Sequence, residues 1–265
     1  MRRIIYNFYW FMSSQLGLDI LKLIKSVRRS YFFFRDLIIF KKKYKGPYSI
    51  KPCLHDRFDE SGATRNEYFW QDLFVAQEIF VKNPGTHIDI GSRIDGFIGH
   101  IATFMSIEVF DIRPLQFNIP NVKFSQIDIM NTKEILKIKG KYNSISCLHT
   151  LEHFGLGRYG DIIDLDGYKV GFNNIASLLQ ESGILYLSTP IGRERIEFNA
   201  NRIFHPKTII DLAKSNSLEV EAMRVISKGY KIKNIPIETI NKELEILSKE
   251  GYNLGIFILK KNKTL

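Results

Sequence analysis

Residues 86–100 read Thr86-His-Ile-Asp-Ile-Gly91-Ser-Arg-Ile-Asp-Gly96-Phe-Ile-Gly99-His100. Residues 87–90 form a short buried-strand pattern that runs directly into Gly91 and then into a segment with helical character. A strand, a tight glycine turn and a helix N-terminus make a nucleotide-sized cradle at the edge of a parallel sheet. About twenty residues on, Glu108-Val-Phe-Asp111 reads as a second strand closed by an acid, the spacing at which a carboxylate accepts from both hydroxyls of a ribose. Together they predict a nucleoside-bearing cofactor held without a phosphate-binding loop, which is the chemistry of S-adenosylmethionine.

Beyond this stretch, strand and helix patterns alternate, the mark of a doubly wound sheet. Strands are expected over residues 87–90, 107–110, 123–127, 142–148, 183–187, 220–226 and 254–259, with helices over 67–81, 96–104, 132–138, 168–179 and 206–215. Residues 190–205 read as a long irregular loop. The prediction is an α/β fold with a doubly wound, seven-stranded, mostly parallel sheet in residues 67–265. A polar linker over 46–66 and a helical arm over 1–45 precede it.

The arm carries most of the charge. Residues 1–45 hold eleven Lys and Arg against Asp19 and Asp36, so nearly all of the net charge of +10 lies there, together with eleven aromatic residues. The body has no basic stripe, so the charge implies no nucleic-acid partner and none is expected. Arg35 and Asp36 interrupt the apolar run of residues 31–40, and no stretch reaches the ~20 apolar residues of a spanning helix. Arg2 and Arg3 precede a short apolar run, but no small-residue cleavage site follows. Leu16, Ile20, Leu23, Ile24 and Val27 recur at helical spacing beside Lys22, Lys25, Arg28 and Arg29. Such a helix suits either an anionic membrane surface or packing on its own domain or a partner subunit. Cys53 and Cys147 have no metal-ligand or redox spacing, so no metal is expected and a reduced, cytoplasmic setting is the simple reading, peripheral at the inner membrane face if the arm meets lipid.

The motif set resembles the class I S-adenosylmethionine-dependent methyltransferase superfamily. Its parts are Asp89-Ile-Gly91, acids after the second and third strands, Leu151-Glu-His153 after the fourth, and a terminal strand pair. Tyr68-Phe-Trp-Gln-Asp-Leu73, residues 89–97 and residues 151–161 are similar to a poorly characterised methyltransferase-like family of bacterial surface-polysaccharide loci. The resemblance implies that Asp89, Gly91, Ser92 and Arg93 meet the methionine end of the cofactor and that Asp111, with Ile112, binds the ribose. It also implies that Asp128 accepts from the adenine amino group beside Ile129, and that His149 faces the reactive methyl. One departure stands out: where the superfamily has further glycines, this chain has Arg93 and Asp95 before Gly96.

Methyl transfer to a hydroxyl needs alignment and a proton acceptor. His149 and His153 are the candidate bases, with Glu152 beside them; the alternative is that Glu152 and His153 only stiffen the loop. Arg158, Tyr159, Arg202 and His205 are the candidate contacts to the acceptor, a small molecule or glycan. The resulting expectation is O-methylation of a sugar or sugar precursor in capsule or lipopolysaccharide biosynthesis. The Arg93/Asp95 loop keeps open a non-catalytic binding or scaffold protein. An NAD-dependent sugar-modifying enzyme is the third reading, weakened because Gly91-Ser-Arg-Ile-Asp-Gly96 lacks the middle glycine that admits a pyrophosphate.

Overall fold

Aromatic and basic residues without glycine or proline form the first helices, α1 (Arg2–Trp10), which runs into a π-turn over Phe11–Gln15, and α2 (Ile20–Lys43). Asp19 starts α2 by accepting from the Lys22 backbone N–H at 2.9 Å, and it also accepts from the Tyr9 hydroxyl at 2.9 Å. Lys41, Lys42 and Lys43 occupy its last turn, where cations complement the helix dipole. This computed structural model describes residues 2–62 and 64–263, and its contacts divide the chain into two units, Met1–Ala63 and Thr64–Leu265.

Within the first unit, residues expected as linker pack along one face of α2. Asp59 pairs with Arg29 at 3.2 Å, Arg57 with Asp36 at 2.5 Å, and Phe58 meets Phe32 edge-on at 5.5 Å. Residues 4–62 include no buried side chain, so this unit has no core of its own. Its ion pairs are largely exposed to solvent, which screens them, and add little to stability.

Near the start of the second unit, the Asn66 side chain caps α3 (Glu67–Lys82) by accepting from the Tyr68 N–H at 2.9 Å. There follow β1 (His87–Ile90), a π-turn over Ile94–Ile98 leading into α4 (Gly99–Ala102), β2 (Ile107–Asp111), β3 (Val122–Gln126) and α5 (Thr132–Ile135). Next come β4 (Tyr142–Leu148), α6 (Gly167–Leu178), β5 (Leu179–Ile191) and a separate hairpin of β6 (Arg195–Glu197) and β7 (Asn201–Ile203). The chain closes with α7 (Pro206–Ser215), β8 (Leu218–Ser227), β9 (Lys231–Ile235), α8 (Ile240–Lys249) and β10 (Asn253–Lys261).

The main sheet has the order β3-β2-β1-β4-β5-β10-β8-β9. Strands β1 to β5 run parallel; β10 is antiparallel to β5 and β8, and β9 is antiparallel to β8. Alternate residues of each central strand enter different cores, as the two-residue strand period requires. Ile88, Leu185, Phe257 and Leu259 pack with α5–α8, whereas Val109, Tyr186, Ile256 and Ile258 pack with α3 and α4. Both faces are therefore covered, and all four residues of β1 are buried.

The expected α/β, mostly parallel architecture is present, with eight strands in place of seven. The eighth, β9, reads Lys-Ile-Lys-Asn-Ile and is exposed at four of five positions, so it has no apolar alternation to mark it. The loop expected over 190–205 carries the β6–β7 hairpin. Phe257, on the central strand β10, is fully buried. Phe257→Ala is expected to lower the unfolding free energy by about 3–5 kcal/mol; a loss below about 1 kcal/mol by urea denaturation would contradict this packing.

Candidate active site at the strand edge

The floor of the site is set by two backbone requirements. Gly91 adopts φ +72° and its N–H donates to the Phe110 carbonyl at 2.9 Å; a Cβ there would overlap the Thr150 side chain. Asp89, two residues before it on β1, is fully buried and accepts from the Ser92 N–H at 2.8 Å, the Ser92 hydroxyl at 2.6 Å and the Ser146 hydroxyl at 2.5 Å. Burial pushes its pKa up to about 7 despite these donors. Ser146 also lies 2.9 Å from His87 Nε2, and Ser144 lies 2.8 Å from His87 Nδ1. Because Ser146 donates to Asp89, it accepts from His87 Nε2–H, and Nδ1 accepts from Ser144. Burial drives His87 down to about 3, so it stays neutral in this chain of hydrogen bonds. Asp89 thus braces the turn from beneath and does not line the cavity.

Above the floor opens a cavity of about 330 Å³, which Gly91, Ser92, Arg93, Asp111, Ile112, Asp128, Ile129 and His149 all line. Asp111 ends β2, and Asp128, just past β3, accepts from the Met130 N–H at 2.9 Å. Asp111 is not free. Arg113 grips it with two bonds, Nε to Oδ1 at 2.9 Å and Nη2 to Oδ2 at 2.5 Å, and stacks 4.6 Å over the Tyr159 ring. Arg93 in turn pairs with Asp95 at 2.7 Å.

At the end of β4, His149 takes φ +53°, an uncommon conformation for a side-chain-bearing residue. Its N–H donates to the Ser188 carbonyl at 3.0 Å and to the Ser188 hydroxyl at 3.1 Å, which holds the turn. His149 Nδ1 lies 2.7 Å from Glu152 Oε1, and Tyr68 packs on its ring at 4.4 Å. Nε2 sits 3.3 Å from Glu67 Oε1 without completing a hydrogen bond, while Tyr252 donates to that same oxygen at 2.5 Å. Burial opposes the imidazolium, but Glu152 and Glu67 outweigh it and push His149 up to about 9. Burial likewise opposes the Glu152 carboxylate, and the neighbouring His149 more than offsets it, holding Glu152 below the usual carboxylate range. Glu152 lies behind His149, outside the cavity wall.

His153 differs. Its Nδ1–H donates to the Ala200 carbonyl at 2.7 Å, which leaves the lone pair on Nε2, 4.0 Å from Glu152 Oε1. Burial lowers its pKa, so at neutral pH it is the uncharged histidine of the pair. His153, Arg158 and Tyr159 all line the cavity, and Arg158 shares the Ala200 carbonyl at 2.8 Å.

Arg202 and His205, expected at the acceptor, are placed elsewhere. The buried Arg202 donates to the carbonyls of Glu152, Phe154, Asp164 and Leu165 and so ties the segment of residues 152–165, which holds Gly155, Gly157 and Gly160, to β7. His205 caps α7, its Nδ1 accepting from the Lys207 N–H at 3.2 Å. Conversely, Tyr68, Gln71 and Asp72 of α3 line the cavity without having been expected there. The signal was a polar pair, Gln71-Asp72, set in an apolar helical pattern. Arg113 was equally missed. Among the described residues no group of three or more His, Cys, Asp or Glu could hold a metal ion.

The family described as "Caenorhabditis protein of unknown function, DUF268" matches residues 101–214, less than half of the chain. No curated protein matches. Among solved structures, the 4+2 cyclase SpnF is 14% identical, with a TM-score of 0.52 over 74% of this chain and 82% of SpnF. An O-methyltransferase from a trans-AT polyketide synthase multienzyme of Brevibacillus brevis, in complex with S-adenosylhomocysteine, is 18% identical, with a TM-score of 0.48 over 74% of this chain and 72% of that one. The 1,6-didemethyltoxoflavin N1-methyltransferase of Burkholderia thailandensis is 13% identical, with a TM-score of 0.45 over 72% and 79%. The likeness to SpnF is one of fold, a Rossmann-like methyltransferase fold with eight strands in the main sheet here.

The raised pKa of His149 links charge to stability. An imidazolium favoured in the folded state stabilises fully below the unfolded value of about 6.5 and is lost as pH rises through about 9. The melting temperature is therefore expected to fall between pH 7 and 10, and His149→Asn to remove most of that dependence. An identical decline in the variant would contradict the pairing with Glu152 and Glu67.

Proposed function

We propose that this chain is an S-adenosylmethionine-dependent methyltransferase acting on a hydroxyl of a sugar or sugar precursor, as in surface-polysaccharide assembly. The observation that carries the reading is one cavity bordered by Gly91, Asp111, Asp128 and two histidines, His149 favoured as the imidazolium and His153 as the neutral ring. When bound, S-adenosylmethionine would supply a sulfonium-activated methyl group. Gly91 would admit its methionine end, Asp111 would accept from its ribose hydroxyls, and Asp128 with Ile129 would meet its adenine. The His149 imidazolium is charged already and does not suit a base. Neutral His153 does: its Nε2 lone pair would take the proton of the acceptor hydroxyl as that oxygen displaces the methyl group from the sulfonium sulfur, leaving S-adenosylhomocysteine. Tyr159 offers a flat ring to a sugar, and Arg158 offers a guanidinium to a phosphate or carboxylate on it.

A second reading, a binding or scaffold protein on the same fold, is favoured by the Arg113 grip on Asp111. Arg113 occupies acceptor positions on both Asp111 oxygens, so ribose hydroxyls would compete with it for this carboxylate.

The test is transfer of labelled methyl groups to a panel of free, nucleotide-linked and lipid-linked sugars. His153→Gln is expected to lower kcat by about 100-fold or more, the scale of general-base catalysis. The wild-type rate should persist below the ordinary histidine range and decline only in more acidic buffer, because protonated His153 cannot accept a proton. Transfer that is indifferent to His153→Gln would remove the base, and transfer to no hydroxylated acceptor by a cofactor-binding protein would remove the sugar.

A further inference from the structure

The helix α2 has two faces of different fate. Ser26, Arg29, Ser30, Phe33, Asp36 and Leu37 are partly covered, on the side where Asp59 and Arg57 form their ion pairs. On the opposite side Ile20, Leu23, Ile24, Val27, Tyr31, Phe34 and Ile38 recur at three- and four-residue steps, each between 42 and 67 % exposed. Seven large apolar side chains thus form one open stripe along a helix about 36 Å long. Leaving such a stripe in water forfeits roughly 1.5–3 kcal/mol for each side chain that burial would recover.

Charge identifies what covers it. Arg28, Arg35 and Lys42 stand seven residues apart, which places them along one edge of the stripe, and all three are exposed. Lys41 and Lys43 lie in the same last turn. The acids of residues 1–45 are both occupied elsewhere: Asp19 caps α2 and Asp36 pairs with Arg57 and Arg35 on or beside the covered face. The stripe therefore carries a cationic border with no acid beside it, apart from the Arg35–Asp36 pair. Long basic side chains can lie along apolar surface and hold their charge at a polar boundary. In α1, Tyr6, Phe8 and Trp10 are exposed too, and aromatic rings of this kind favour a membrane–water interface. No described helix is long and apolar enough to cross a membrane, so the helix would lie along the surface.

We propose that α2 seats this chain on an anionic lipid surface, its apolar stripe entering the headgroup–acyl boundary and Arg28, Arg35 and Lys42 meeting lipid phosphates. The proposal is independent of the methyltransferase reading, since it uses no residue of the cavity.

The experiment is co-sedimentation of the full chain with phosphatidylcholine vesicles and with vesicles containing phosphatidylglycerol, with light scattering on the protein alone. The wild-type chain is expected to bind anionic vesicles at least about tenfold more tightly and to weaken as salt screens the charges. Val27→Glu with Phe34→Glu, and separately Arg28→Glu with Lys42→Glu, should each reduce binding by about tenfold or more, with far-ultraviolet circular dichroism unchanged. Three results would overturn the proposal: no vesicle binding by the wild type, equal binding to both lipid compositions, or a dimer abolished by the stripe variant. The last would assign the stripe to a second copy of the chain. The lipid comparison on wild-type protein stands even where a variant misfolds.

Discussion

A carboxylate without solvent exposure costs several kcal/mol unless its charge and lone pairs are answered, and the strand-edge site is organised around one, Glu152. His149 answers the charge at 2.7 Å and Thr189 supplies a hydroxyl at 3.2 Å. To reach Glu152, His149 holds a left-handed backbone that Ser188 fixes from the neighbouring strand. Glu67 and Tyr252, distant in sequence, close the other side of the same imidazole. The ends of α3, β4, β5 and β10 are thereby tied to one buried charge. Removing Glu152 would strand a buried imidazolium, whereas removing an exposed pair such as Arg93–Asp95 would cost little.

Two adjacent histidines consequently differ in character. His149 lies between two glutamates and keeps its proton; His153, whose Nδ1–H is committed to Ala200, loses its own to burial. Below them, the Ser144–His87–Ser146–Asp89–Ser92 chain fixes the turn at Gly91 without entering the cavity. The groups that brace the turn are thus distinct from those that border the cavity, where Arg113 holds Asp111.

The fold was legible where burial writes a pattern. Residues 87–90 and 142–148 lie in the doubly covered part of the sheet, and the alternation of Ile88 and Ile90, and of Ile145 and Cys147, with small or polar residues marks them as strands. β9 was not, because an exposed edge strand of Lys, Asn and Ile has nothing to alternate against. Within the site, sequence spacing brought Gly91, Asp111, Asp128 and His149 to one edge, since each follows a strand end. Side-chain commitments were illegible. Arg202 looked like an anion grip until its four carbonyl partners appeared, and His205 proved to be a helix cap. The Arg113–Asp111 pair needed coordinates too, for a spacing of two residues does not say which way a guanidinium folds.

The central claim is that the strand-edge cavity holds S-adenosylmethionine through Asp111. Calorimetric titration of the full chain with S-adenosylmethionine and with S-adenosylhomocysteine, repeated on Asp111→Ala, tests it most directly. A Kd in the micromolar range, about −8 kcal/mol, is expected, with weakening of at least about tenfold in a variant that still melts cooperatively. Folded protein that binds neither compound, or binding that Asp111→Ala leaves unchanged, would contradict it.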